Sequence, residues 1–179
     1  MNPVRRALYP GSFNPVHYGH LDIVHRALTV FDELVIGVYV HPGKVDLFAG
    51  EERIALIREA VAGETRIRVA SYNKLTVDYA KDVGATAIVR GLRVFSDFEL
   101  EFRMALANRR LAPTIEIVNF IAAEEHLHIS SSTVREVASL GGDVSWMTPP
   151  HVVAALKRRF EEMKSQGVSS SYMTSLGKD

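Results

Sequence analysis

The 179-residue sequence contains no cysteine. That excludes a disulfide framework and thiolate metal sites, and it fits a reducing compartment. The chain also lacks any excess of one charge, with 21 Lys and Arg against 21 Asp and Glu. Without a global basic field there is no draw towards nucleic acid or an acidic membrane, so any anion site must be local. Long hydrophobic runs are missing as well. The opening segment MNPVRRALYPGSF has no apolar core of the signal-peptide kind, and the longest strongly apolar run, Leu34 to Val40, is far too short to span a bilayer. The expectation is a cytoplasmic protein that binds neither nucleic acid nor membrane. Three chemical motifs are absent too. There is no G-x-x-x-x-G-K-[ST] loop, which argues against a P-loop kinase or ATPase. No G-x-G-x-x-G follows the first strand, which argues against a dinucleotide-dependent dehydrogenase, and no G-x-S-x-G elbow occurs.

What is present is an alternation of short β-branched runs with amphipathic stretches. The pattern predicts strands at Arg6–Tyr9, Leu34–Val40, Ile67–Ala70, Ala87–Arg90 and Ile115–Phe120. Between and after them it predicts helices at Gly19–Thr29, Glu51–Ala62, Thr76–Val83, Asp97–Arg110, Ser131–Leu140 and Pro150–Lys164. Strand then helix, repeated, gives right-handed crossovers and a five-stranded parallel sheet coated on both faces, a Rossmann-like doubly wound α/β domain. It occupies residues 1–164. Residues 165–179, rich in Ser and Gly, read as a disordered tail outside the fold.

In such sheets ligands collect beyond the carboxyl ends of the strands. The first predicted strand runs into YPGSFNPVHYGH, which places Gly11, Ser12, His17 and His20 where a helix begins. His41, Pro42, Gly43 and Lys44 follow the second strand, Arg90, Gly91 and Arg93 the fourth, and EHLHISSS leads from the fifth into the next helix. Cations, hydroxyls and helix-start amides suit several phosphate groups at once. Each piece also has a plainer reading. Arg90 and Arg93 can pair with Asp97 or Glu101 on the surface, Ser130 to Ser132 can cap a helix, and Lys44 can be merely solvated. His17, His20, His126 and His128 invite a metal, but no cysteine accompanies them and no H-E-x-x-H pattern occurs, so no metal ligand is assigned.

His17-Tyr18-Gly19-His20 resembles the HxGH signature of the nucleotidyltransferase superfamily, and Ile129 to Ser132 with Arg135 resembles its second, serine-containing motif. The particular forms YPGSFNPVHYGH, VRGLR, DFELE and ISSS are similar to the bacterial phosphopantetheine adenylyltransferase family, over about residues 5 to 163. That resemblance implies adenylyl transfer from ATP to 4′-phosphopantetheine, giving dephospho-coenzyme A and pyrophosphate, the penultimate step of coenzyme A synthesis. It implies His20 as transition-state stabiliser, with Lys44 and Arg93 also catalytic. For ATP it implies Ser12, Phe13, His20, Gly91, Leu92, Arg93 and Glu101, together with His126, Leu127, His128, Ile129, Ser130, Ser131 and Ser132. For the acceptor it implies Ser12, Lys44, Thr76 and Arg90. Magnesium is expected to travel on ATP with no protein ligands of its own, and coenzyme A to bind in feedback. Another nucleotidyltransferase, for example one acting on nicotinate mononucleotide, shares the histidine motif.

The sequence departs from the family pattern at His126-Leu127-His128, where an aromatic residue is frequent, at Thr76 and Leu100, and at Ala49-Gly50, where a capping hydroxyl is missing before Glu51. The resemblance also implies a homohexamer, a dimer of trimers. The stripe Phe98, Phe102 and Leu106 reads equally as an interface or as core.

Overall fold

The computed structural model describes residues 4–43 and 45–168. Five parallel strands form one sheet in the order β3-β2-β1-β4-β5. In chain order the elements are β1 (Arg6–Gly11), α1 (Tyr18–Val30), β2 (Glu33–Tyr39), α2 (Gly50–Ala60), β3 (Ile67–Tyr72), α3 (Thr76–Asp82), β4 (Ala87–Leu92), α4 (Phe95–Leu111) and β5 (Glu116–Ile121). A single 3-10 turn at Glu124–His126 then leads to α5 (Ser131–Ser139) and α6 (Pro150–Ser165). All the strands and helices expected from the sequence are found, in the expected order.

Side chains alternate across the strands and so feed two cores. On one face Ala7, Tyr9, Ile36, Val38 and Val89 join residues of α1, α2, α5 and α6. On the other, Leu8, Val35 and Ile88 pack with Val77 and Ala80 of α3 and with Ile115. From β1 the chain builds outward to β2 and β3, then returns to add β4 and β5 on the other side. The reversal lies between β1 and β4, so the crevice at their carboxyl ends is where a ligand is expected.

Most element ends differ from the sequence reading by one or two residues, and a few of these differences matter for the site. β1 and β4 run on to Gly11 and Leu92, because Gly11 still pairs with Val38 and Leu92 with Ile121. Backbone pairing is blind to the glycines that break the hydrophobic pattern there, and Gly91 and Leu92 therefore belong to the strand with Arg90 rather than to the loop after it. Helix α6 continues to Ser165, and Val168 still packs on the core, so the expected tail begins later than residue 165. The rest of it, residues 169–179, lies outside the described residues. Finally, Phe98, Phe102 and Leu106 are not core: they are 48%, 53% and 57% exposed. The core-facing alternative fails because α4 turns this side away from the sheet.

Candidate active site

The segment joining β1 to α1 is held by its carbonyls. The Ser12 carbonyl accepts from Arg53 Nη1 at 2.7 Å, and the Asn14 carbonyl accepts from Arg135 Nη1. Pro15 O accepts from Ser131 Oγ at 2.8 Å, and Val16 O from Thr148 Oγ1 at 2.8 Å. The donors come from α2, from α5 and from the loop before α6, three elements remote in sequence. With these carbonyls engaged by the protein body, the loop cannot present them as a negative lining to an anion. Glycines clear space for rings: a Cβ on Gly11 would lie 3.0 Å from the Phe13 ring, and one on Gly19 would lie 3.1 Å from the His17 ring. Their immediate task is therefore internal packing, which a motif alone does not reveal.

His20 stands in the first turn of α1. Its Nδ1 accepts the backbone N–H of His17 at 3.3 Å, which leaves the ring proton on Nε2. Its ring stacks on that of His17 with centroids 3.6 Å apart, and Phe13 meets it edge-on at 4.8 Å. Burial, reinforced by the positive charges of Arg93 and Arg90, holds its pKa down at about 3. At neutral pH His20 is thus an uncharged imidazole presenting one N–H donor. His17 is buried, and its pKa is lowered by burial and by the neighbouring His20, Arg93 and His126. It supports the ring of His20 by stacking on it, and it also lines the first of the cavities described below.

Arg90 reaches across the crevice. Its Nε donates to Glu101 Oε1 at 2.8 Å and its Nη1 to the Pro10 carbonyl at 3.0 Å. Arg93 Nη1 donates to the Ile129 carbonyl at 3.0 Å, while its backbone N–H and Nε donate to Asp97 Oδ2 at 3.0 and 3.3 Å. The plain reading, pairing with Glu101 and Asp97, is what is seen, and those carboxylates hold both guanidinium groups at the wall of the first cavity described below. Ser130 is the N-cap of α5, its hydroxyl accepting from Thr133 N at 3.0 Å. Ser131 spends its hydroxyl on Pro15 and is buried, whereas Ser132 is exposed. Ser132 is the exposed residue of the three, and its hydroxyl lies 2.9 Å from that of Ser130.

Two cavities adjoin at this edge. The first, about 430 Å³, is lined by Ser12, Phe13, His20, Gly91, Arg93 and Ser130 to Ser132. The second, about 370 Å³, is more apolar and is lined by Tyr39, Tyr72, Leu75, Thr76, Ile88 and Met104. Both share Pro10, Gly11, Ser12, Arg90 and Glu101. Thr76 also bonds the Tyr72 hydroxyl at 2.9 Å.

The structure thus gathers Ser12, Phe13, His20, Arg90, Gly91, Arg93, Glu101 and Ser130 to Ser132 around the first cavity, and Thr76 in the second. Leu92 and Ile129 line neither cavity. The Leu92 carbonyl accepts from Ala122 N at 2.8 Å, while Ile129 is buried. His126 and Leu127 are half-buried, His126 beside Gly19 in the first turn of α1, and His128 stacks on Trp146 at 5.3 Å. These three are not among the residues that line either cavity. Lys44 lies outside the described residues. Sequence reasoning missed Arg53, Asp46, Asn14 and Thr148. One signal was available for Arg53: on α2 it shares the buried face of Ile54 and Ile57, an odd station for a cation.

Residues 8–137 match the family model described as cytidylyltransferase-like. Fold and match together define the chain as a nucleotidyltransferase. It is 54% identical over 154 residues to the phosphopantetheine adenylyltransferase of Roseiflexus sp., covering 86% of this chain and 96% of that protein. It is 52% identical over 159 residues to the one from Chloroflexus aggregans, covering 89% and 99%. In three dimensions it is similar to a Vibrio parahaemolyticus protein described as a nicotinate-nucleotide adenylyltransferase, with a TM-score of 0.65 at 18% identity over 86% of this chain and 99% of that one. That likeness bears on the fold. The sequence relationships decide further: the chain belongs to the phosphopantetheine adenylyltransferase family. No helix among the described residues is long and apolar enough to cross a membrane.

Proposed function

We propose that the chain transfers the adenylyl group of ATP to 4′-phosphopantetheine, releasing pyrophosphate and forming dephospho-coenzyme A in the cytoplasm. The observation that carries this reading is the pair of cavities meeting at Ser12, Arg90 and Glu101. One is rimmed by phosphate donors and the other is apolar enough for a pantetheine arm, with Thr76 on its wall. Two ligands laid in them would bring their phosphates together at the shared wall, beside His20.

The acceptor is a phosphate monoester with a second pKa near 6, so it is largely ionised at neutral pH and needs no general base. Its oxygen attacks the α-phosphorus in line as the bond to the pyrophosphate oxygen breaks. Positioning and charge stabilisation must supply the acceleration. The Nε2–H of His20 donates to an α-phosphate oxygen as charge builds there. Being neutral, it does so without a proton transfer. Arg93 and the first amides of α5 take the β- and γ-phosphates, with Ser132 adding a hydroxyl. Arg90, Ser12 and Lys44 hold the acceptor phosphate, and Glu101 fixes Arg90. His126, Leu127 and His128 remain assigned to the nucleotide's base and ribose on the resemblance alone. No group of three or more His, Asp or Glu suited to a metal occurs among the described residues. On the resemblance, magnesium is assigned to the triphosphate oxygens and water, and no step runs through a protein-held ion.

Coenzyme A carries both an adenylyl group and a pantetheine arm, so it would occupy both cavities and compete with the substrates. The apolar side of α4 supports a homo-oligomer, for which a homohexamer is the arrangement implied by resemblance. The deciding experiment compares pyrophosphate release from ATP with 4′-phosphopantetheine, nicotinate mononucleotide and glycerol 3-phosphate. Release with the first alone is expected. Release with nicotinate mononucleotide instead would overturn the acceptor assignment.

A further inference from the structure

Arg53 has no place in that mechanism, yet it is among the most deeply buried side chains, 2% exposed. Its Nη1 donates to the Ser12 carbonyl at 2.7 Å and to the Tyr39 carbonyl at 3.1 Å. Its Nη2 pairs with Asp46 Oδ2 at 3.2 Å, and Asp46 is itself almost buried. The other Asp46 oxygen accepts from Asn14 Nδ2 at 3.2 Å, and Asn14 Oδ1 in turn accepts from Phe48 N at 3.1 Å. One guanidinium thus ties together the loop after β1, the end of β2 and the segment 46–48. Taking a charged pair out of water is costly, and a hydrophobic side chain of similar volume often serves stability as well or better. Stability alone is a poor reason for an arginine here.

Geometry supplies a better one. In a trans peptide unit the carbonyl and the following N–H point in opposite directions. Arg53 draws the Ser12 carbonyl down into the protein, so the Phe13 N–H is turned the other way, towards the side of the loop that lines the first cavity. Phe13 holds φ at 48°, a left-handed conformation that is unfavourable for a non-glycine residue and persists only where its surroundings impose it. The Arg53 bond is on the peptide immediately before it.

We propose that Arg53, held by Asp46, is a positioning residue for adenylyl transfer: it sets the Ser12–Phe13 peptide so that the Phe13 N–H and the Ser12 hydroxyl meet the reacting phosphates. This rests on the function proposed above. The test uses Arg53→Lys, which keeps the charge but loses the fork, and Asp46→Asn, which keeps a partner for Asn14 but removes the anion. For the full-length protein, kcat, the equilibrium affinity for ATP, the melting temperature and the backbone amide signal of Phe13 in ¹⁵N-phenylalanine-labelled protein are measured. In the wild type, saturating ATP is expected to shift the Phe13 amide signal. In Arg53→Lys the shift is lost and kcat falls roughly ten- to a hundredfold, as misplacement of reacting groups typically does. ATP affinity changes by less than about threefold, and Asp46→Asn shows a smaller loss in the same direction.

A variant that melts lower but keeps wild-type kcat and the Phe13 shift would overturn the proposal, reducing Arg53 to a structural cation. So would a Phe13 amide in the wild type that does not respond to ATP. If Arg53→Lys does not fold, Asp46→Asn decides by the same two readouts. Failure of the underlying function looks different: the wild type would release no pyrophosphate with 4′-phosphopantetheine, while the Phe13 response to ATP would still report on the peptide.

Discussion

Helices α1 and α4 both leave the carboxyl end of a central strand beside the cavity, and they treat their apolar residues in opposite ways. Helix α1 buries Leu21, Ile23, Val24, Ala27 and Leu28 against the sheet. Among the described side chains of α4 the buried one is charged, Glu101, while Phe95, Phe98, Leu100, Phe102 and Leu106 are between 48% and 85% exposed. Phe95, Phe98 and Phe102 form a row with ring centroids 6.1 and 5.9 Å apart. Both helices carry apolar residues at helical spacing. The comparison teaches that such spacing announces a face and not what covers it: α1 turns its face to its own sheet, and α4 turns its face outward and its Glu101 inward to hold Arg90.

The contrast can be broken by experiment. The largest effect on stability belongs to α1, where Leu28→Ala, far from the cavity, should cost about 2 to 5 kcal/mol in urea unfolding. A cost like that of a surface change would mean that α1 is not the anchoring helix. At the start of the same helix, His20→Ala should remove about 3 kcal/mol of transition-state stabilisation, or a factor of 10² to 10³ in kcat, with most ATP binding retained. Parallel loss of binding and turnover would assign His20 to ground-state binding.

A pH effect of about 2 kcal/mol follows from the same histidine. Its pKa is about 3 in the folded protein against 6.5 ordinarily, so the unfolded chain takes up the proton more readily. The stability contribution is fully present above about pH 6.5 and is lost as pH falls from there towards 3, reaching about 2 kcal/mol near pH 5. Urea midpoints near pH 7 and pH 5 should differ less for His20→Asn than for the wild type. The acid limb of the rate profile should follow the acceptor phosphate, near pH 6, rather than His20.

The smallest effect on the folded chain is expected on α4. Phe98→Asp should change protomer stability by about 0.5 kcal/mol or less, as exposed substitutions do, yet lower the mass in solution if this face joins protomers. Sedimentation at matched concentrations checks both halves of the contrast.

Much of the site was legible because its chemistry is concentrated in short segments. YPGSFNPVHYGH and HISSS announce themselves by residue type, and a repeating strand and helix pattern puts both at one sheet edge. Other parts were not legible because they depend on contacts distant in sequence. Nothing local to Ser131 says that its hydroxyl is committed to the Pro15 carbonyl 116 positions away. Nothing local to Arg53 says that it will hold Ser12, although a cation on an apolar helix face is a hint. Element boundaries erred where glycines interrupted the pattern but not the backbone pairing.

By itself, then, the sequence determined a parallel α/β fold and the residue types available at one sheet edge, since periodicity and composition are local properties. Tertiary structure decided which nitrogen of His20 carries the proton, which serine remains exposed at the start of α5, and which face of α4 is left outward. Those choices are made by partners brought together only when the strands pair and the helices pack, and no spacing along the chain encodes a partner's position.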